Sequence, residues 1–258
     1  KCGTKVNVVP AAAEALFEGL DGDETEALAK SMEEELGITF TVSSEDGCLK
    51  IAASGENGHA STPWKGKNAL TGLLALIERL PLAECGQLKA VRALNHLMPH
   101  GDWFGAGLGI QISDEESGEL TLAFSMLDIS EKSLEGEFDS RCPICATKEN
   151  TIDVIRKNME AEGISFNTEE LEPPHHVPAD SDFVKTLLSA YESYSGRKGE
   201  CIAIGGGTYV HHLKNGVAFG ACLPETENHM HGPDEFAVVD ELLMSAKIFA
   251  QVIVDLCS

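Results

Sequence analysis

The sequence has 258 residues, enough for one large domain or two modest ones. With 43% hydrophobic residues it can bury a sizeable core, while its interrupted apolar runs at 73–77 and 248–256 are too short to span a bilayer. The net charge of −23, from 19 basic and 42 acidic residues, makes nucleic acid and anionic membrane surfaces poor partners, since both are held through clusters of Lys and Arg.

The chain opens on Lys1-Cys2-Gly3-Thr4-Lys5-Val6 with no Met, already strand-like, an opening that reads as a truncation. Residues 4–10 alternate and end at Pro10, which predicts a strand. Residues 23–36 form a helix with an acidic first turn and Gly37 as its stop. Strands over 38–42 and 48–53 flank the turn Glu45-Asp46-Gly47. Residues 68–80 are an amphipathic helix, with Leu70, Leu73, Leu74, Ile77 and Leu80 at helical spacing and Pro81 after it. A helix over 83–97 follows, then strands over 108–112 and 120–129 joined through 114–118. Residues 133–140 alternate into Arg141-Cys142-Pro143; a helix over 150–162 and a strand over 164–171 come next.

The run Pro173-Pro174-His175-His176-Val177-Pro178 marks a break. Beyond it the pattern predicts a helix over 182–194 and a buried strand over 201–204 running into Gly205-Gly206-Gly207-Thr208. A strand over 217–221 and a terminal helix over 239–256 complete it. The first part reads as α+β with open-faced sheets, the second as part of an α/β sheet.

Four groups of residues carry chemistry. Gly206, Gly207 and Thr208 follow an expected strand and open an expected helix, where free N–H groups suit a carboxylate; a tight turn explains them equally well. His229-Met230-His231 with Asp234 and Glu235 offers ligand types that zinc favours, or a polar loop. His59, in Gly58-His59-Ala60-Ser61-Thr62-Pro63, precedes the amphipathic helix. Cys142 and Cys145 have redox spacing ahead of a helix, and a redox role predicts a lowered thiol pKa. The remaining Cys are scattered, which fits small buried hydrophobes in a reducing cytoplasm.

Taken in order, several blocks resemble one family. They are Asn7-Val8-Val9-Pro10, His59-Ala60-Ser61-Thr62-Pro63 with Gly66 and Asn68-Ala69, and Asp139-Ser140-Arg141-Cys142-Pro143. Gly205-Gly206-Gly207-Thr208-Tyr209, Val217-Ala218-Phe219-Gly220 and Met230-His231-Gly232-Pro233-Asp234-Glu235 complete the set. This set is similar to the co-catalytic zinc dipeptidases: carnosinase, aminoacylase and the bacterial Xaa-His or β-Ala-Xaa dipeptidases. His100-Gly101-Asp102 and Asp114-Glu115 with Gly118, Leu120 and Thr121 resemble the bacterial branch.

The resemblance implies a lid of ferredoxin-like open-faced sheets over residues 1–177, inserted in a two-zinc catalytic domain whose C-terminal, α/β part is 178–258. It implies that His59 stabilises the oxyanion, that Asn7 and Arg141 grip the substrate's terminal carboxylate, that Gly206, Gly207 and Thr208 line the pocket, and that His231 binds zinc. Two departures stand out. Val210-His211-His212 stands where the family often has Arg, and nothing matches the family's N-terminal metal-binding segment; Glu33-Glu34-Glu35 is no substitute for its general base. The expectation is a dipeptide substrate, two zinc ions in the whole enzyme, and no activity or firmly bound zinc in this chain alone. A partner would be the absent N-terminal segment, or a second copy joined through exposed sheet edges. The alternatives are a non-enzymatic lid-like binding or oligomerisation module and a redox protein.

Overall fold

In the computed structural model, which describes residues 2–220, 222–228 and 234–258, only Val8–Val9 (β1) of the strand expected over 4–10 forms. Thr4 to Asn7 are exposed, whereas Val9 and Pro10 are buried. The chain separates into two compact units, Lys1–Pro174 and His175–Ser258.

In the first unit, Ala12–Phe17 (β2) is a strand that sequence reading misses. Its alanines, Glu14 and Leu16 favour helix, but six backbone pairings to a neighbouring strand outweigh a propensity term of tenths of a kcal/mol per residue, ~0.5 at most for most of them. Gly22–Leu36 (α1) starts where the Asp21 carboxylate accepts the Glu24 N–H at 2.9 Å and stops at Gly37. Thr39–Glu45 (β3) and Cys48–Ser54 (β4) form a hairpin around Asp46 and Gly47, whose φ of 50° and 85° suit the favoured two-residue hairpin turn. The antiparallel order is β2-β4-β3.

Gly58–His59 (β5) pairs with β1, and Ala69–Arg79 (α2) follows a single 3-10 turn at Pro63–Lys65. Asn68 caps α2 by accepting the N–H groups of Leu70 and Thr71, and its Nδ2 donates to the Phe124 carbonyl at 2.8 Å. Leu70, Leu73, Leu74, Leu76 and Ile77 are buried. At roughly 1.5–3 kcal/mol each, against about 1 for the cap, burial holds this helix and capping sets where it begins. Gly86–Leu97 (α3) packs on it through Leu88, Val91, Leu94 and Leu97.

The strand expected over 108–112 is absent. Leu108 and Ile110 are fully buried, but Asp102 accepts the N–H groups of Phe104, Ala106 and Gly107 and curls the chain into turns. A short apolar run does not by itself distinguish strand from buried loop. Ser113–Asp114 (β6) and Gly118–Glu119 (β7) make a small hairpin, then Thr121–Ile129 (β8) pairs with Leu134–Arg141 (β9) through an irregularity between Phe124 and Met126. Ile152–Ala161 (α4) follows, and in place of the strand expected over 164–171 an irregular segment stacks Phe166 on Phe138 at 5.9 Å. Cys2 joins the two antiparallel groups, bridging Ala13 of β2 and Leu127 of β8; its N–H donates to the Leu127 carbonyl at 2.8 Å.

The second unit is built on Asp182–Ser195 (α5) and Val239–Cys257 (α6), packed through Leu187, Ala190, Ile248 and Val252. The α/β pattern expected there is corrected: residues 201–204 and 217–220 form no strand. Ile202 is 80% exposed and Ile204 60%, so neither has the pairing partner or cover a buried strand requires. Ala221 lies outside the described residues. Among the described residues of this unit there is accordingly no sheet edge through which two copies would pair. Among the described residues, no helix is long and apolar enough to cross a membrane.

Candidate active site

The β1–β5 pairing aligns Val8 with His59, and the Ala60 N–H donates to the Asn7 carbonyl at 3.1 Å. Close packing makes this possible: a Cβ on Gly58 would lie 3.0 Å from the Gly66 nitrogen, and one on Gly66 2.9 Å from the Glu56 carbonyl. Val9, Ala60 and Ala123 form a buried cluster that seats the pair on β8. The Thr121 hydroxyl reaches the Ala60 carbonyl at 3.5 Å, and Thr121 is the register partner of Arg141. Asn7, His59 and Arg141 are thus connected through Ala60 and Thr121 within the first unit.

His59 is exposed and oriented by its own loop. Its Nδ1 lies 3.1 Å from the Ser61 backbone N–H, which can only donate, and 2.8 Å from the Ser61 hydroxyl. Nδ1 is therefore an acceptor, and the neutral ring carries its proton on Nε2. Asn7 is exposed as well, on a turn immediately before β1.

Arg141 closes β9. Its Nε donates to one carboxylate oxygen of Asp139 at 2.6 Å and one terminal nitrogen to the other at 2.7 Å. The pair sits at alternate positions of the strand and so on one face. Just beyond, Asp114 accepts the N–H groups of Glu116, Ser117 and Cys145 and the Ser117 hydroxyl, while the Ser117 hydroxyl accepts the Ile144 N–H at 2.8 Å. The Ser117 N–H, foremost among these donors, holds the Asp114 carboxyl well below the usual range. This network fastens the chain that leaves Arg141 to the β6–β7 hairpin. Sequence reading named both carboxylates within the blocks that carry the resemblance but gave neither a role. For Asp139 the D-x-R spacing on an alternating strand was an available signal; for Asp114 there was none, since its partner Cys145 is remote in sequence.

Burial pushes the Cys142 thiol up, and partial desolvation together with the neighbouring Asp114 carboxylate pushes up that of the exposed Cys145. A redox role needs the opposite shift, so the redox reading is not favoured. In the second unit Gly206 and Gly207 are exposed with open space around them, and the Thr208 carbonyl accepts the His211 N–H at 3.2 Å. This stretch is a bend followed by turns and opens no helix. The His211 and His212 rings stand 5.2 Å apart, edge to face, within that turn, where strand geometry would have parted them. His229 and His231 lie outside the described residues.

Among the described residues, no three His, Cys, Asp or Glu side chains are grouped to hold a metal ion. The described residues therefore do not by themselves fit a zinc centre.

The family model "Peptidase family M20/M25/M40" matches residues 13–255. The chain belongs to this peptidase family. It is 35% identical over 255 residues to "Putative dipeptidase YtjP" of Bacillus subtilis (strain 168), covering 98% of this chain and 54% of that protein. It is 31% identical over 260 residues to "Beta-Ala-Xaa dipeptidase" of Lactobacillus delbrueckii subsp. lactis, covering 99% and 54% respectively. The chain thus spans about half the length of these curated relatives. Membership in a peptidase family goes against the reading as a non-enzymatic module.

Proposed function

We propose that this chain works in a zinc-dependent dipeptidase, with its first unit as the lid, ferredoxin-like in plan, and its second unit as part of the catalytic domain. Arg141 and Asn7 hold the terminal carboxylate of a short peptide. His59 donates from Nε2 to the oxyanion that forms when the scissile carbonyl is attacked, a donor aimed at developing charge. Gly206, Gly207 and Thr208 contribute to the substrate pocket, and the open space at Gly206 and Gly207 leaves room for a ligand. Zinc, two ions in the whole enzyme, comes with the family; His231 is the proposed ligand from this chain, and the other ligands are to be sought in the half of the relatives' length that this chain does not span.

The observation that carries this reading is the run of contacts joining Asn7, His59 and Arg141, with the Nδ1 of His59 already committed to Ser61. A carboxylate clamp and an oxyanion donor held in one connected framework can measure the short span of a dipeptide. The test is hydrolysis of unblocked dipeptides and of their C-amidated counterparts by the active enzyme, beside the 258-residue chain alone with zinc added. The expected result is turnover of the unblocked peptides by the enzyme and none by the chain alone. Equal turnover of both peptide types sinks the clamp.

A further inference from the structure

We propose that Asp139 is a positioning residue for Arg141, fixing which edge of the guanidinium is presented to the substrate. This rests on the clamp reading above. A guanidinium has five N–H donors arranged on two carboxylate-matching edges. Asp139 takes up one of them, Nε with a terminal nitrogen, at 2.6 and 2.7 Å. The Asp139 side chain is 10% exposed and that of Arg141 28%, so the pair is sheltered and its geometry is worth more than that of a surface ion pair. What remains for a second carboxylate is the far edge, made by the two terminal nitrogens.

Two consequences follow for binding. The incoming carboxylate is received end-on, from one direction, because Asp139 repels it from the other. Rotation of the long Arg side chain is also arrested before substrate arrives, so the ordering cost is met in the free protein. The surrounding structure is consistent with a fixed element: Thr121 faces Arg141 across the sheet, and Asp114 and Ser117 tie down the chain at Ile144 and Cys145.

The test is Asp139→Asn in the active enzyme. Asn keeps the size but offers one acceptor and turns a donor toward the guanidinium. The expected result is a rise in KM of about tenfold for unblocked dipeptides, with a smaller change in kcat. C-amidated dipeptides, which do not use the clamp, should be unaffected, and Asp139→Glu should recover part of the loss. A merely structural role would lower activity on both peptide types alike and would not respond to Asp139→Glu; that pattern, or an unchanged KM, overturns the proposal. A second measurement avoids dependence on the variant's folding. The unsubstituted chain, labelled with 15N, should show a slowly exchanging Arg141 Nε–H signal, identified by its loss in Arg141→Lys; rapid exchange of that proton overturns the proposal. If Arg141→Lys leaves KM unchanged although the unsubstituted chain shows the slowly exchanging signal, the clamp reading has failed, and the Asp139–Arg141 pair is structural.

Discussion

The Nδ1 of His59 accepts the backbone N–H of Ser61 two residues on, which leaves Nε2 as the donor of the neutral ring. His59→Ala should therefore lower kcat of the active enzyme by about two to three orders of magnitude, the scale for losing one oxyanion donor. Metal content should stay unchanged, because Nδ1 is committed within its own loop and the ring is not a proposed ligand. Metal analysis of the purified variant is the check; loss of zinc would show that His59 is a ligand instead.

Arg141→Lys keeps the charge and loses the fork. One ammonium cannot hold both oxygens of Asp139 and grip a second carboxylate. KM for unblocked dipeptides should rise by about ten- to a hundredfold with a smaller change in kcat, since a bond made equally in ground and transition states is removed. Steady-state kinetics on unblocked and amidated peptides decides it; an unchanged KM removes Arg141 from substrate binding.

How far the sequence predicted this structure depends on whether a segment's partners are nearby. The helices at 22–36 and 69–79 and the hairpin at 39–54 were legible, because periodicity, caps and turn residues act locally. Ala12–Phe17 was not, since its strand state depends on pairing with β4, from Phe17 with Leu49 to Ala12 with Ser54, far along the chain. The segment holding Ile202 and Ile204 failed in the other direction: its apolar run looks like a buried strand, yet nothing in the described structure covers it. At the candidate site, the resemblance of the ordered blocks to the dipeptidase family, and not spacing alone, picked out Asn7, His59 and Arg141. Their mutual contacts through Ala60 and Thr121 could not be read, because they join segments far apart in the chain.

His100 carries a pH dependence. It is half-buried, its Nε2 lies 2.8 Å from the Leu36 carbonyl and its Nδ1 2.8 Å from the Thr71 hydroxyl. Burial pushes its pKa below the ordinary 6.5, with the Leu36 bond opposing in part. The unfolded chain thus binds the proton more readily than the folded one. The contribution of His100 to stability is complete above pH 6.5 and is lost as pH falls below it, through the window down to the lowered folded value. Protonation also makes Nδ1 a donor, so the Thr71 hydroxyl must redirect its single proton to the Asn68 carbonyl, at a longer 3.3 Å. The urea midpoint should fall between about pH 7 and about pH 5, and fall less in His100→Asn, which has no titrating ring. Parallel profiles for the two proteins would show that other groups carry the dependence.

The two units should differ in how they fold alone. The core of the first unit, from Cys2 through Ile51, Leu74, Leu94 and Phe124 to Met159, is made entirely of its own residues. Expressed as residues 1–174, it should unfold in urea as one cooperative transition. The second unit buries Leu187, Ala190, Ile248 and Val252 between two helices, while Leu242, Leu243, Phe249, Ile253 and Val254 of α6 remain exposed. Such a core is small beside the conformational entropy of the ordered chain, at roughly 1–2 kcal/mol per residue for the backbone alone. Expressed as residues 175–258, it should melt over a broad range and self-associate in size-exclusion chromatography, because those apolar side chains of α6 are exposed. Replacing Leu243 and Ile253 by Glu should make it monomeric without improving its melt, since association and core size are separate causes. A sharp transition from a monomeric 175–258 fragment would mean that its core suffices, contrary to this account.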